Sequence, residues 1–135
     1  MSLPAFLKLY ALTLPVFLAI DLVWLGIVAR GFYRSQLGDL LRPDVRWGAA
    51  LLFYAVYVAA LLVLAVVPAV ERQSLTRAAL LGGLFGFAAY AAYDLTNLAT
   101  LRGFPTLVAA IDLAWGSVLG AGVAAIAYHL ARLVR

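Results

Sequence analysis

Residues 48–70 read GAALLFYAVYVAALLVLAVVPAV, a run of 23 residues that contains no charged side chain. A helix needs about 20 mostly apolar residues to cross the hydrocarbon core of a bilayer. Soluble domains carry about 25% charged residues, so a run of this length without any charge is foreign to them. The segment therefore predicts a transmembrane helix.

Three further segments have the same length and character, at about residues 4–29, 75–101 and 105–130. Residues 31–42 differ, because apolar and charged side chains alternate there. They fit a short amphipathic helix lying in the membrane interface, and a polar connector fits equally well. We therefore expect an all-α fold, an integral membrane four-transmembrane-helix bundle, with residues 1–135 forming a single domain.

The composition points to lipid as the main solvent of the chain. It is 67% hydrophobic and 12% charged, with a mean hydropathy of +1.05. The formal charge of +4 comes from arginines between apolar segments, which suits anionic headgroups of a lipid bilayer. No basic run with interleaved aromatic residues indicates a nucleic-acid partner. The chain has no cysteine, which excludes disulfides, thiolate metal ligands and a cysteine nucleophile. No cofactor is indicated.

The orientation in the membrane is weakly specified. Four spans put both termini on one side, and that side holds five lysines and arginines, as does the opposite side. The positive-inside rule therefore gives no direction. The very short N-terminus adds its own amine, which favours cytoplasmic termini in a bacterial inner membrane. The charge tie also leaves room for dual topology and a homodimer.

Three aspartates lie at one depth. Asp21, Asp94 and Asp112 are each about 12–15 Å from the boundary marked by Arg30 and Arg102, counting 1.5 Å per helical residue. An aspartate at the centre of a membrane helix raises the free energy of membrane insertion by about 2.5–3.5 kcal/mol. No lysine or arginine occupies the same layer. The carboxyl groups must therefore be protonated, share protons, contact water or bind a cation, and this predicts a proton or cation acceptor.

Aromatic and amide side chains reach the same layer from all four helices. Trp24, Asn97 and Trp115 each follow an aspartate by three residues and share its helix face. The candidate set for a ligand or ion is Asp21, Trp24, Tyr54, Tyr57, Tyr90, Asp94, Asn97, Asp112 and Trp115. A metal, if one is bound, would be held by Asp21, Asp94 and Asp112, whose oxygens suit a hard cation.

Two short phrases stand out within these helices. Residues 92–100 read AYDLTNLAT, and we expect them to form the third wall of a polar chamber that also contains Asp21 and Asp112. Residues 19–24 read AIDLVW and residues 110–115 read AIDLAW. Their helices run in opposite directions, as an inverted repeat requires. Convergence on one local arrangement, an aspartate with an indole one turn away, is the preferred explanation of the likeness.

Six stretches together resemble a family of small bacterial predicted membrane proteins that carries a domain-of-unknown-function label. The matching stretches are IDLVWLG (20–26), FYRSQLGDLLRP (32–43), FYAVY (53–57), VPA (67–69), AYDLTNLATLRGFP (92–105) and IDLAWGSVL (111–119). The resemblance covers nearly the whole chain. It implies an integral membrane protein with four helices, and it implies no activity, ligand or catalytic residue.

Three kinds of function remain open on the residues alone. Carboxylates lined by tyrosine and tryptophan suit binding or transport of a proton, a cation or a small amphiphile, since indole and phenol faces attract organic cations. An intramembrane enzyme acting on a lipid or isoprenoid is the alternative, with the acids as proton donor and acceptor. A structural or accessory membrane subunit, in which the aspartates join helices by hydrogen bonds, is the third.

Overall fold

The computed structural model describes residues 1–135, and every regular element in it is helical. Two of the long helices contain a wider π-helical turn. The elements in chain order are α1 (Leu3–Val23, continued by a π turn at Trp24–Val28), α2 (Arg30–Leu37), α3 (Trp47–Leu61, continued by a π turn at Leu62–Val66), α4 (Val67–Glu71), α5 (Leu75–Thr100) and α6 (Thr106–Leu130).

Four of these helical stretches are long and apolar enough to cross a membrane: Leu3–Val28, Trp47–Glu71, Leu75–Thr100 and Thr106–Leu133. The absence of strands and the four spans confirm the predicted all-α membrane bundle. Helices are suited to the hydrocarbon core of a bilayer because each helix satisfies its backbone hydrogen bonds internally. The assignment of the whole chain to one domain stays a prediction.

Glycines bring α5 and α6 into close backbone contact. A Cβ atom on Gly86 would collide with the carbonyl oxygen of Gly116, and one on Gly120 would collide with that of Gly82. The two small-x-x-x-small steps, Gly82 to Gly86 and Gly116 to Gly120, therefore face each other. Such steps let helices associate in lipid through van der Waals contact. The α5–α6 pair is the rigid wall against which the other helices pack.

The buried core lies where α1, the α3–α4 span and α6 meet. Phe17 on α1 stacks on Tyr57 of α3, with ring centroids 4.8 Å apart. Leu61 of α3 and Val123 of α6 belong to the same fully buried cluster. This cluster fills one end of the bundle, so the space for a site lies nearer the other end, towards α2.

Helix α2 covers that other end. Its aromatic residues Phe32 and Tyr33 pack against a buried cluster formed by Phe104, Val108 and Ala109, at the start of α6. The helix ends at Leu37, because the next residue, a glycine, takes a φ of +50°. This left-handed conformation favours glycine and stops helices. The chain from Arg30 to Leu37 is thus helical and folds back onto the bundle.

Candidate ligand-binding cavity

A cavity of about 970 Å³ opens between α1, α2, α3, α5 and α6, and 16 of its 21 lining residues are hydrophobic. We call it the aspartate cavity. Six of the nine residues predicted from sequence line it: Asp21, Trp24, Tyr54, Tyr90, Asp112 and Trp115. Its volume lies within the range of about 300–1,000 Å³ that is typical of small-molecule sites. Its mixture of apolar walls and a few convergent polar groups is typical of such sites as well.

An aromatic donor from another helix holds each of the two acids in the cavity. Trp115 on α6 donates its indole N–H to Oδ1 of Asp21 on α1, at 3.3 Å. Tyr33 on α2 donates its hydroxyl proton to Oδ1 of Asp112 on α6. The two carboxyl groups are 3% and 6% exposed. Each is thus oriented towards the cavity by a contact that also joins two helices.

The two indoles of the repeated phrase stack on each other. The rings of Trp24 and Trp115 lie 4.3 Å apart at an interplanar angle of 6°. Trp24 donates its N–H to the hydroxyl oxygen of Tyr33 at 3.1 Å. That hydroxyl is therefore both acceptor and donor, and it links Trp24 to Asp112. One continuous network of aromatic rings connects the two acids.

Tyr33 lies outside the membrane spans, and its electrostatic environment follows from this network. Burial raises the pKa of its phenol, and the hydrogen bond to Asp112 raises the pKa further. Both effects disfavour the phenolate, because it would be poorly solvated and would lie beside an acid. Tyr33 therefore keeps its proton and acts as a hydrogen-bond donor to Asp112.

Asp94 lies next to the cavity but not on its wall. It is fully buried at 0% exposure, and neither of its oxygens has a hydrogen-bond partner. It is close enough to Asp112 for the two acids to interact electrostatically. The lining of α5 comes instead from Ala89, Tyr90, Ala92 and Tyr93. Asp94 follows Tyr90 by four residues, and it is buried behind the lining, beside Asp112 of α6.

Two more predicted residues lie outside the lining. Tyr57 is buried in the core cluster, where its ring packs on Phe17 and its hydroxyl has no partner. Asn97 is partly buried on α5, one turn beyond Asp94. The expected third wall of the chamber, residues 92–100, is therefore represented in the lining by Ala92 and Tyr93 only.

No set of three acidic or histidine side chains is placed to hold one metal ion. The conditional assignment of a metal to Asp21, Asp94 and Asp112 therefore gains no support. Asp21 and Asp112 line the cavity, whereas Asp94 is fully buried outside its lining.

Helix α2 contributes four cavity residues that the sequence did not mark as part of the site: Arg30, Tyr33, Arg34 and Leu37. Both arginines are exposed. The signal that could have found them is the amphipathic pattern of residues 30–37, whose aromatic side needed an apolar surface to cover. Only the fold shows that this surface is the start of α6, beside Asp112.

The fold and its four spans define a small multi-pass integral membrane protein whose environment is the lipid bilayer. A family model described as "Predicted membrane protein (DUF2177)" matches residues 6–129. The chain belongs to this family, as its resemblance in sequence indicated. No curated protein and no solved structure matches the chain.

Proposed function

We propose that the aspartate cavity binds an amphiphilic organic cation, for carriage or presentation within the membrane. The observation that supports this most directly is the position of Asp21 and Asp112 in the wall of a largely apolar cavity of about 970 Å³. Carboxylates supply the countercharge, and the faces of Trp24 and Tyr90 attract a cation by their quadrupoles. The apolar walls accept a hydrocarbon chain.

Binding is favoured over the enzymatic alternative by the chemistry of the lining. The cavity offers carboxyl, phenol, indole and guanidinium groups, but no serine, threonine or histidine side chain lines it. Nucleophilic catalysis on a lipid commonly uses such a hydroxyl or imidazole. Recognition of an organic cation requires acidic groups and aromatic faces, and the cavity provides both.

The test is a binding titration in lipid nanodiscs with dodecyltrimethylammonium as the probe. The quenching or shift of tryptophan fluorescence reports occupancy, because Trp24 and Trp115 line the cavity. Asp21→Asn and Asp112→Asn should each weaken binding about ten-fold, equivalent to about 1.4 kcal/mol for loss of one countercharge. Equal binding by both variants and the parent protein contradicts the proposal.

Two matched controls separate the cavity from general charge effects. Asp39→Asn removes an exposed acid from the segment after α2, and Asp94→Asn changes a buried acid outside the lining. Asp39→Asn should not change the affinity for dodecyltrimethylammonium by more than about two-fold, since exposed charges are screened by salt. Asp94→Asn should weaken binding less than Asp112→Asn does, because Asp94 does not line the cavity. Dodecanol, which has the same chain without the charge, should bind weakly to all four variants.

We further propose a homodimer in the bacterial inner membrane, with both termini cytoplasmic. A bundle of four spans is thin for a transport pathway, and the tie in lysine and arginine counts is compatible with either orientation. Cysteines introduced at Ser35 and Ser74 test the orientation by labelling from outside intact cells. Labelling at one position alone rejects dual topology, and a monomeric mass in mild detergent rejects the dimer.

A further inference from the structure

The mouth of the aspartate cavity carries two arginines without an acidic partner. Arg30 and Arg34 both line the cavity and both are exposed. They are four residues apart on α2, so they lie on one face of the helix. The single salt bridge of the protein joins two other residues, Arg42 and Asp44. Two guanidinium groups are thus available at the entrance.

These arginines are structurally coupled to the acids deeper in the cavity. Tyr33 lies between them in sequence and donates its hydroxyl proton to Asp112. The helix that carries the positive charges is therefore joined by a hydrogen bond to one of the carboxyl groups. The cavity has positive charge at its entrance and acidic groups, Asp21 and Asp112, further in.

Each end of this charge pattern matches a different chemical group. A guanidinium presents a planar fork of N–H donors that fits phosphate oxygens in a bidentate manner. Carboxylates flanked by aromatic faces fit an ammonium group. A ligand that carried only an ammonium group would make no ion pair with the arginines. A ligand that carried only a phosphate group would make no ion pair with the acids.

Resting on the proposed cation site, we propose that the natural ligand is a zwitterionic aminophospholipid of the surrounding bilayer. Its ammonium lies between Asp21 and Asp112, and its phosphate lies against Arg30 and Arg34. Its acyl chains leave along the apolar walls into the membrane. The complementarity of two opposite charges in one cavity selects this occupant over a simple cation or an anionic lipid.

The test compares three single-chain probes of 16 carbons by native mass spectrometry of the intact protein. Lysophosphatidylethanolamine carries both charges, lysophosphatidylglycerol carries the phosphate alone, and hexadecylamine carries the ammonium alone. The intact protein should bind the first probe at least about ten-fold more tightly than either of the others, because only this probe uses both ends of the cavity. Equal affinity for the first and third probes overturns the inference.

Variants identify the source of that preference. The double change Arg30→Gln with Arg34→Gln should lower the affinity for lysophosphatidylethanolamine to that for hexadecylamine, and should not weaken hexadecylamine binding, because it removes only positive charge from the cavity. Arg42→Gln with Arg46→Gln removes the same charge from exposed positions outside the lining and should leave all three affinities unchanged. Equal losses in the two double variants indicate a general attraction to anionic headgroups and overturn the inference.

Failure of this inference can be told apart from failure of the cation site itself. If hexadecylamine binds in an Asp21-dependent manner but the zwitterionic probe binds no more tightly, the cation site stands and the phosphate subsite is rejected. If no probe binds in an Asp21-dependent manner, both proposals are rejected. Far-ultraviolet circular dichroism confirms that each variant retains its helices before its affinities are compared.

Discussion

Tyr33→Phe is the substitution that tests the organisation of the site most directly. The change removes one oxygen and keeps the ring that packs on the Phe104 cluster. That oxygen accepts the N–H of Trp24 and donates to Asp112. A single atom therefore connects α1, α2 and α6, and its removal leaves both partners without this contact.

The expected loss of stability follows from the two hydrogen bonds. Each contributes about 0.5–1.5 kcal/mol net, so Tyr33→Phe should lower the free energy of unfolding by about 1–3 kcal/mol. Tyr10→Phe is the matched control, because its hydroxyl makes one hydrogen bond, to the carbonyl oxygen of Ala55 at 2.9 Å. The control should cost about 0.5–1.5 kcal/mol.

The measurement is equilibrium unfolding in mixed micelles, followed by far-ultraviolet circular dichroism. Near-ultraviolet circular dichroism adds a local readout, because the stacked indoles of Trp24 and Trp115, 4.3 Å apart, couple electronically. Tyr33→Phe should reduce that coupled signal, and Tyr10→Phe should leave it unchanged. If the two variants have the same stability and the same near-ultraviolet spectrum, Tyr33 does not organise the cavity.

The pH dependence of stability gives a further check on Tyr33. Its pKa is raised in the folded state by burial and by Asp112. A group with a raised folded pKa contributes its full stability below the unfolded pKa, which is about 10 for tyrosine. That contribution declines as the pH rises above this value, because the unfolded state then binds fewer protons. Tyr33→Phe should therefore show a shallower alkaline loss of stability than the parent protein.

Three other substitutions test the remaining contacts, each against a clear expectation. Gly86→Ala places a Cβ against the backbone of α6 and should lower the free energy of unfolding by about 1–3 kcal/mol through overpacking. Gly122→Ala is the control and should change it little, because nothing lies within 4 Å of the added Cβ. Equal free energies of unfolding in the two variants contradict the close packing of α5 and α6. Asp94→Leu removes a buried acid whose oxygens have no hydrogen-bond partner but which lies beside Asp112. It should therefore keep the stability of the protein and weaken binding of the cation probe less than Asp112→Asn does, whereas an equal loss of binding would place Asp94 in the site. Trp115→Phe removes the N–H donor to Asp21 and should weaken binding of the probe about ten-fold, equivalent to about 1.4 kcal/mol of binding free energy, because Asp21 is no longer oriented. Unchanged affinity contradicts the role of the indole in orienting Asp21.

The fold was predictable from sequence because the bilayer imposes a simple rule. Any spanning segment must be helical and about 20 residues long, and the chain contains four such segments. The observed spans begin and end within a few residues of those expected from hydropathy, for example Trp47–Glu71 where about 48–70 was expected. What hydropathy leaves open is the packing order of the helices, which depends on details such as the facing glycines of α5 and α6.

The sequence indicated at what depth in the membrane the aspartates of the candidate site should lie, but not towards which neighbouring helix each of them points. Counting residues from the charged boundaries placed Asp21, Asp94 and Asp112 in one layer, and the first and last of them do line one cavity. Tertiary packing decides which acids reach the cavity wall, and it buries Asp94 behind that wall. The contribution of Tyr33 depends on α2 folding back over α6, which no local pattern in the sequence encodes.

The repeated motif, AIDLVW at residues 19–24 and AIDLAW at residues 110–115, has a physical explanation. The indole of each copy contacts the helix that carries the other copy. A tryptophan one turn after an aspartate could bond the acid of its own helix, yet Trp115 bonds Asp21, and Trp24 reaches Asp112 through Tyr33. The first and fourth spans run in opposite directions, so an indole one turn beyond its own acid meets the indole and acid of the other helix. The stacked rings lie 4.3 Å apart, and each follows an aspartate of its own helix by three residues. The same short phrase at both ends of the chain therefore follows from the geometry of one shared site, whether or not the two copies have a common origin.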